Sequence, residues 1–505
     1  MNPVPSFKRI LFMNPPTGLY RRDDRCQCKV EEQTVDVVFP PIDLAYLAAV
    51  AERAGAECRI RDYPAERLGW QDYIRDLREF RPDAILLNTT TATIAGDMQA
   101  CQVARECVPG VTTIVRGEYT NINGPRLLRE HLGLDLILMG ESEETLEEIL
   151  AGRPWHQVAG IMFHRRRLAP DSAEAPSAEG DIHEAGSGND SHGGDVVQTP
   201  RRPFIQDLDR LPFPARHLLN NALYRSPDTG RPLTVIHGNR GCPAKCIYCP
   251  AGVLSDFKVR ARRPEKIVEE IAECVQRHGI REFLFHGDTF TINKRWMIAL
   301  CQGIVEAGLK IRWGCNSRVD TIDDERAQWM RRAGCWVVAF GFESGDQDML
   351  DRMKKGARLE KAGLAVQICR RHGLRVHGFF LIGLPWETPE TLEKTYRLAK
   401  ELDCDYFDFN IAYPLPGTEL YDIARRDGLL TSDDDLINSG YEAAAMRLPN
   451  FAPEDLTRWR RQALLKMYAR PRYVARTIWN NRNPRVLVNY LRAARRRLTR
   501  LLSAR

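Results

Sequence analysis

Cys242, Cys246 and Cys249 stand as C-x3-C-x2-C within Gly241-Cys-Pro-Ala-Lys-Cys-Ile-Tyr-Cys-Pro250. Three thiolates do not close a four-ligand structural zinc site. Thiolates are the usual ligands of iron–sulfur clusters, and three of them on a four-iron cluster leave one iron open to a non-protein ligand. The competing reading is three buried or zinc-binding cysteines. The residues around the trio favour the cluster: His237-Gly-Asn-Arg-Gly leads in from an apolar run, and Tyr248 stands just before the third cysteine.

Something must hold those thiols at one place. From Leu233 to about Tyr421 the sequence reads as six strand–helix repeats, with strands at 233–237, 282–286, 311–315, 336–342, 375–381 and 406–412. Helical patterns lie between them; Ile267, Val268, Ile271 and Val275 share one face of the first. Six such units make a partial (β/α)6 barrel, and sites in barrels gather at the carboxyl ends of the strands. Polar residues cluster at those ends: His286-Gly-Asp288-Thr289, Cys315-Asn316-Ser317-Arg318, Gly341-Phe-Glu343-Ser344-Gly345, Gly383-Leu-Pro-Trp-Glu387 and Tyr413-Pro-Leu-Pro-Gly-Thr418.

Residues 8–152 alternate short apolar runs with helical patterns five times, which predicts a flavodoxin-like, doubly wound parallel sheet. Ligands of such sheets bind beyond the carboxyl ends of the strands. Those ends carry Asn14 to Gly18, Asn88-Thr89-Thr-Thr91, Arg116-Gly117-Glu118-Tyr119 and Gly140-Glu141-Ser-Glu143. Asn14, Thr89, Gly117, Glu118, Gly140 and Glu141 are the candidates for holding a ligand there.

Composition limits the rest. A chain of 505 residues is too long for one ordinary core. There is no apolar run long enough to span a bilayer, and the first ten residues lack a signal-peptide core. Fourteen cysteines in so long a chain are no secreted disulfide framework. Cys58, Cys101, Cys274, Cys301, Cys335, Cys369 and Cys404 read as small core residues, and a reducing cytoplasm is the expected compartment. Residues 164–203, rich in Gly, Ser, Asp and Pro, read as a disordered insertion. Leu456–Arg505 carries fifteen Lys and Arg and no Asp or Glu, which leaves −9 on the first 455 residues against a total of +6. Within that tail, residues 484–505 read as a basic amphipathic helix suited to peripheral contact with the inner face of a membrane. Aromatic-rich basic surfaces are absent from the body, so no specific nucleic acid is expected.

The cysteine spacing and the strand-end motifs resemble the radical S-adenosylmethionine (SAM) enzymes. Pro40 to Val50 and Met139 to Leu150 are similar to recurring segments of the class that places a cobalamin-binding domain ahead of the radical domain. The resemblance implies four regions: a cobalamin-binding-like domain at 1–160, an insertion and bridge at 161–225, a radical SAM barrel at 226–425 and a helical basic extension at 426–505. It implies a [4Fe–4S] cluster on the three cysteines, SAM on its open iron, cobalamin, and an electron donor such as flavodoxin or ferredoxin. It also implies residue roles. Tyr248 resembles the aromatic residue beside adenine. Asp288 stands where the family accepts hydrogen bonds from the SAM amino group. Arg318, in the segment with Asn316, would pair with the SAM carboxylate. Glu343 and Ser344 resemble the ribose-side motif, and Gly383 opens the segment that passes adenine. No D-x-H-x-x-G motif is present, so no histidine is named for cobalt, and Arg116-Gly-Glu-Tyr119 stands where many relatives carry Gly-Gly-Pro-His. The implied activity is reductive cleavage of SAM to a 5′-deoxyadenosyl radical and methylation of an unactivated carbon of a small-molecule or lipid substrate. The alternatives are a non-methylating radical SAM cyclase or rearrangement enzyme, as among the anaerobic Mg-protoporphyrin cyclases, and a corrinoid-binding protein without turnover.

Overall fold

The computed structural model describes residues 6–22, 29–30, 37–167, 195–430, 444–480 and 488. The chain divides into two compact units, one of residues 1–27 and 41–220, the other of residues 28–40 and 221–505.

The first unit is built on a sheet of β1 (Arg9–Asn14), β2 (Glu57–Asp62), β3 (Ala84–Asn88), β4 (Thr112–Arg116), β5 (Leu136–Leu138), β6 (Ile161–His164) and β7 (Val196–Gln198), in the order β2-β1-β3-β4-β5-β6-β7. The first five strands are parallel. The helices Ile42–Arg53, Trp70–Phe80, Ile94–Cys107 and Thr120–Glu130 make the crossovers between them, and Glu143–Leu150 follows β5. β3 and β4 are buried along their whole length, as parallel strands covered on both faces must be. Strand order reverses between β1 and β3, the crevice where such sheets take ligands.

The sheet is larger than the five strands expected from sequence. β6 and β7 extend it antiparallel beyond β5. Val196–Gln198 therefore falls inside the stretch read as an insertion, which is narrower than 164–203. A three-residue strand is too short to show an alternating pattern, and this one exists because the chain returns alongside β6. The Arg165 amide donates to the Asp195 carbonyl at 2.8 Å, and the Ile161 amide to the Thr199 hydroxyl at 3.0 Å. Residues 168–194 lie outside the described residues.

The second unit comprises β8 (Leu233–His237), β9 (Asn239–Arg240), β10 (Arg260–Ala261), β11 (Glu282–His286), β12 (Arg312–Ser317), β13 (Cys335–Glu343), β14 (Arg375–Ile382) and β15 (Tyr406–Ile411). β9 and β10 form a small antiparallel pair. The other six are parallel in the order β15-β14-β13-β12-β11-β8. Neighbours in the sheet are neighbours in sequence, joined through helices, which is the topology of a partial (β/α)6 barrel. β12 runs to Ser317 and β13 to Glu343, further than expected, so Asn316 and Glu343 sit on strands rather than in loops.

Local sequence explains these elements. Pro264–His278 starts with proline at its first turn and ends before Gly279. Its Ile267, Ile271 and Cys274 recur at helical spacing and are buried. They join a core that includes Phe285, Trp313, Phe340 and Phe380 from the strands. Along β14 the face opposite that core carries Arg375, His377 and Phe379, all half-buried. That two-faced pattern places Arg375 and His377 on the sheet's inner surface beside Phe379.

After the barrel, the helices Pro453–Tyr468 and Pro471–Asn480 cover β15, the edge strand. Arg460 Nε donates to the Phe409 carbonyl at 2.5 Å and the Tyr468 hydroxyl to the Phe407 carbonyl at 2.8 Å. An exposed strand edge invites unwanted pairing, and these side chains occupy it. Part of the basic tail is thus spent on packing. No described helix is long and apolar enough to cross a membrane. Of the segment expected to meet a membrane surface, 484–505, only Val488 is described.

Trp313 has no exposed surface, donates from Nε1 to the Ala333 carbonyl at 2.8 Å and meets the Phe285 ring at 4.8 Å. Trp313→Ala should destabilise the second unit by about 3–5 kcal/mol through lost packing and a cavity. Urea unfolding followed by circular dichroism measures it; a loss below about 1 kcal/mol would contradict this core.

Candidate active site

The cysteine loop leaves β9 and ends at the short helix Ala251–Ser255. Its backbone is tied to separate segments of the unit. The Gly241 amide donates to a carboxylate oxygen of Asp288, beyond β11. The Cys242 amide donates to the Asp256 carbonyl at 3.0 Å, and the Ile247 amide to the Met353 carbonyl at 3.1 Å. The Leu420 amide in turn donates to the Ile247 carbonyl at 2.9 Å, and the Cys249 amide to the Cys246 carbonyl at 3.2 Å. Gly241 has φ +93°, and a side chain there would collide with the Lys258 carbonyl.

Of the twelve described cysteines eight are buried, among them all seven assigned to the core. Cys242, Cys246 and Cys249 are half-buried thiols, none of them in a disulfide. Burial pushes the Cys246 thiol up, while the Lys355 and Arg318 charges pull it down. Among the described residues no three His, Cys, Asp or Glu side chains converge as a single ion requires. A four-iron cluster asks for something else: one thiolate on each of three irons. Three accessible thiols on one braced loop fit that donor set.

Beside the loop lies a charged group that sequence reasoning missed in part. Lys355 Nζ donates to Glu343 Oε1 at 2.7 Å and to the Tyr248 hydroxyl at 3.4 Å. Glu343, the last residue of β13, has φ +63°, and the pairing of β13 with β14 slips by one residue between Gly341 and Glu343. Bulges re-aim side chains next to sites. A side chain on Gly341 would clash with the Glu343 carboxylate and the Lys355 ammonium. Burial works against the Lys355 charge, yet Glu343 and the Cys246 thiol more than offset it and leave its pKa above the ordinary lysine value. Lys355 stands in Lys354-Lys355-Gly356 after a short helix, and nothing in that tripeptide signals the pairing.

Other expected residues fall as follows. Arg318 gives its fork to Asp320, Nε to Oδ1 at 3.0 Å and an Nη to Oδ2 at 2.8 Å. Asp288 is engaged by the Gly241 amide rather than turned only to a ligand. Ser344 has no exposed surface and contacts the Thr395 hydroxyl at 3.3 Å and the Asp346 amide at 3.1 Å; its side chain is not brought to the site. Asn316 is half-buried on the inner face of β12. The Gly383 amide donates to Glu387 Oε2 at 2.9 Å. His237 and His286 stand opposite each other at the ends of β8 and β11, rings 5.1 Å apart. Both stand at strand ends, and the sequence alone gives neither a role.

The crevice of the first unit is a polar network at the ends of β1, β3 and β4. Arg22 and Asp97 form a buried ion pair at 2.9 Å. Thr93 donates to Asp97 at 2.6 Å, Arg116 to Asn88 Oδ1 at 3.0 Å, and Thr91 to Glu118 Oε2 at 3.2 Å. The Thr89 hydroxyl bonds the Arg116 carbonyl at 2.9 Å and packs on Gly117. The Gly140 amide donates to Asn121 Oδ1 at 3.0 Å, and Glu141 accepts from the Ile205 amide at 2.8 Å. Asn14 Oδ1 is buried without a hydrogen-bond partner, an acceptor that a ligand carrying amide donors would satisfy. Cobalamin, with its peripheral amides, has that chemistry.

Two family models match the chain: the B12 binding domain over residues 32–150 and the Radical SAM superfamily over 236–399. An uncharacterized methyltransferase of Pyrococcus horikoshii is 29% identical over 477 residues, covering 94% of this chain and 95% of its own. The cytidylyl-2-hydroxyethylphosphonate methyltransferase of Streptomyces wedmorensis is 26% identical, covering 88% and 86%. Among solved structures, the radical S-adenosylmethionine methyltransferase TsrM of Kitasatospora setae, with cobalamin and a [4Fe–4S] cluster bound, covers 90% of this chain and 81% of its own, with a TM-score of 0.63. At 18% identity that last likeness is one of fold.

Glu387 supplies a pH test of the loop it holds. Burial pushes its carboxyl to about 7 from 4.5, against hydrogen bonds from Thr391 and the Gly383 amide that favour the charged form. A carboxyl raised in the folded state contributes stability that is full below about pH 4.5 and is lost as pH rises through about 7. The second unit should lose on the order of 3 kcal/mol across that window, and Glu387→Gln should remove most of the loss. Urea midpoints at several pH values test this; parallel pH profiles for the two proteins would refute it.

Proposed function

Because the chain belongs to the radical SAM enzymes that carry a B12-binding domain, we propose that it methylates an unactivated carbon of a small-molecule or lipid substrate. The family's cofactors are a [4Fe–4S] cluster, SAM and cobalamin. When bound, the cluster and SAM supply a 5′-deoxyadenosyl radical and cobalamin supplies the methyl group. The observation that carries the reading is the trio of half-buried thiols, none in a disulfide, on one braced loop beside the Lys355–Glu343 pair. The methyltransferases among its relatives support methyl transfer.

The chain's own residues would divide the work. Cys242, Cys246 and Cys249 hold the cluster. Tyr248 and the segment from Gly383 border the adenine. Glu343, its carboxylate fixed by Lys355, faces the ribose hydroxyls as an acceptor. Arg318, held by Asp320 through Nε and one Nη, can orient the SAM carboxylate with its remaining N–H donors. Asn14, Thr89, Gly117, Glu118 and Gly140 border the corrinoid, Asn14 through its unsatisfied acceptor; Glu141 contributes by fixing the loop through Ile205.

Anaerobic reconstitution with iron, sulfide and hydroxocobalamin, followed by absorbance spectra, should report cluster and corrinoid together. Ala at any of the three cysteines should abolish 5′-deoxyadenosine formation under dithionite; a triple variant that still produced it would refute the assignment. The cob(II)alamin form should show no nitrogen hyperfine splitting in electron paramagnetic resonance, since no histidine is placed in the four loops. Retention of no corrinoid by the folded protein would remove the methyl-transfer reading.

A further inference from the structure

The segment around the cysteine loop is basic in an acidic body. From Gly241 to Arg263 there are five Lys and Arg and one acid, Asp256, whereas the first 455 residues together carry −9. Two of the five are turned inward. Arg260 is buried and donates to the Ser255 carbonyl at 2.6 Å, and buried Arg262 donates to the His237 carbonyl at 3.1 Å and pairs with Glu270. Lys245, between the first two cysteines, and Lys258 are exposed. Among the described residues neither pairs with a carboxylate.

Between these charges in sequence stands Phe257, a large apolar side chain 46% exposed. Its ring packs on Gly252, three residues beyond Cys249, where any side chain would collide with it. Asp256 is occupied locally, one carboxylate oxygen accepting the Phe257 amide at 2.7 Å. The same residue's carbonyl accepts the Cys242 amide at 3.0 Å, and the Lys258 carbonyl packs against Gly241. Phe257 and Lys258 are therefore fixed to the cysteine loop through main-chain contacts. Lys245 belongs to the loop itself.

We propose that Lys245, Phe257 and Lys258 form the docking surface for a small acidic one-electron carrier protein of the flavodoxin or ferredoxin type. The inference rests on the cluster assignment above, because SAM cleavage consumes one electron that must reach this loop from outside. The carrier is oxidised by one electron and the cluster reduced by one, with no bond made and no proton moved. Two exposed ammonium groups that pair with no carboxylate among the described residues attract an acidic partner to this loop. Steering of this kind raises association rates by 10- to 1,000-fold and fades with salt. The exposed ring supplies the apolar anchor that protein interfaces concentrate at their centres.

The test uses the reconstituted full chain and a reduced, acidic bacterial flavodoxin as probe. Cluster bleaching is followed by stopped flow at low and high salt, and complex formation by calorimetry. Lys245→Glu with Lys258→Glu should slow reduction by flavodoxin at least tenfold at low salt and abolish its salt dependence. Phe257→Ser should weaken the complex about tenfold at either salt concentration. Dithionite, a small reductant that needs no docking, should reduce both variants at the wild-type rate and support the same 5′-deoxyadenosine yield. Unchanged flavodoxin binding and rates would overturn the proposal, as would an equal fall with dithionite, which would move the lysines from docking to cluster support. Failure of the wild type to load a cluster would instead refute the function proposed above, and the calorimetric arm would still decide the surface.

Discussion

The second unit's site depends on the ion pair of Lys355 with Glu343. Each partner alone is unfavourable. A side chain at positive φ costs about 1–2 kcal/mol, and a buried charge without its counter-ion costs several. Together they become tolerable, since the bulge at the end of β13 aims the carboxylate at the ammonium and Gly341 leaves room for both. The Tyr248 hydroxyl then meets the same ammonium, so the residue between the second and third cysteines is referenced to the barrel rather than to its own loop.

The bracing of the cysteine loop follows the same logic. A loop with no regular structure cannot hold three thiols in register by itself. Here its amides and carbonyls are satisfied by segments beyond β11, by the turn before β10, by Met353 and by Leu420. The barrel frame thus fixes the loop's shape before any cofactor arrives, which lowers the ordering cost that binding must overcome. The first unit reaches a comparable end by different means. Its crevice relies mainly on hydroxyl and amide hydrogen bonds around the buried Arg22–Asp97 ion pair, a lining matched to a large, amide-rich, weakly charged ligand.

Much of the architecture was legible because it rests on local patterns. Apolar runs separated by helical periodicity located five strands of the first sheet and six of the barrel, and β8 and β11 begin and end where their sequences change character. β6 and β7 lie beyond the five strands that the periodicity predicts. β7 has three residues, and its pairing depends on a chain return across residues that carry no pattern of their own. β12 and β13 run on through Asn316 and Glu343, whose polarity reads in the sequence as a loop signal and in the fold marks a strand position.

The cysteine trio, its neighbour Tyr248 and the family resemblance were determined by sequence alone, because their spacing is contiguous and their chemistry needs no distant partner to be recognised. Tertiary structure decided which polar groups face one another. Lys355 lies twelve residues beyond Glu343, Asp288 meets Gly241 from forty-seven residues away, and Arg318 is taken by Asp320 only because a tight turn follows β12. A hydrogen bond depends on position and direction to within a fraction of an ångström. Composition and periodicity assign a residue to a strand end, and only the packed fold sets the direction in which its side chain leaves it.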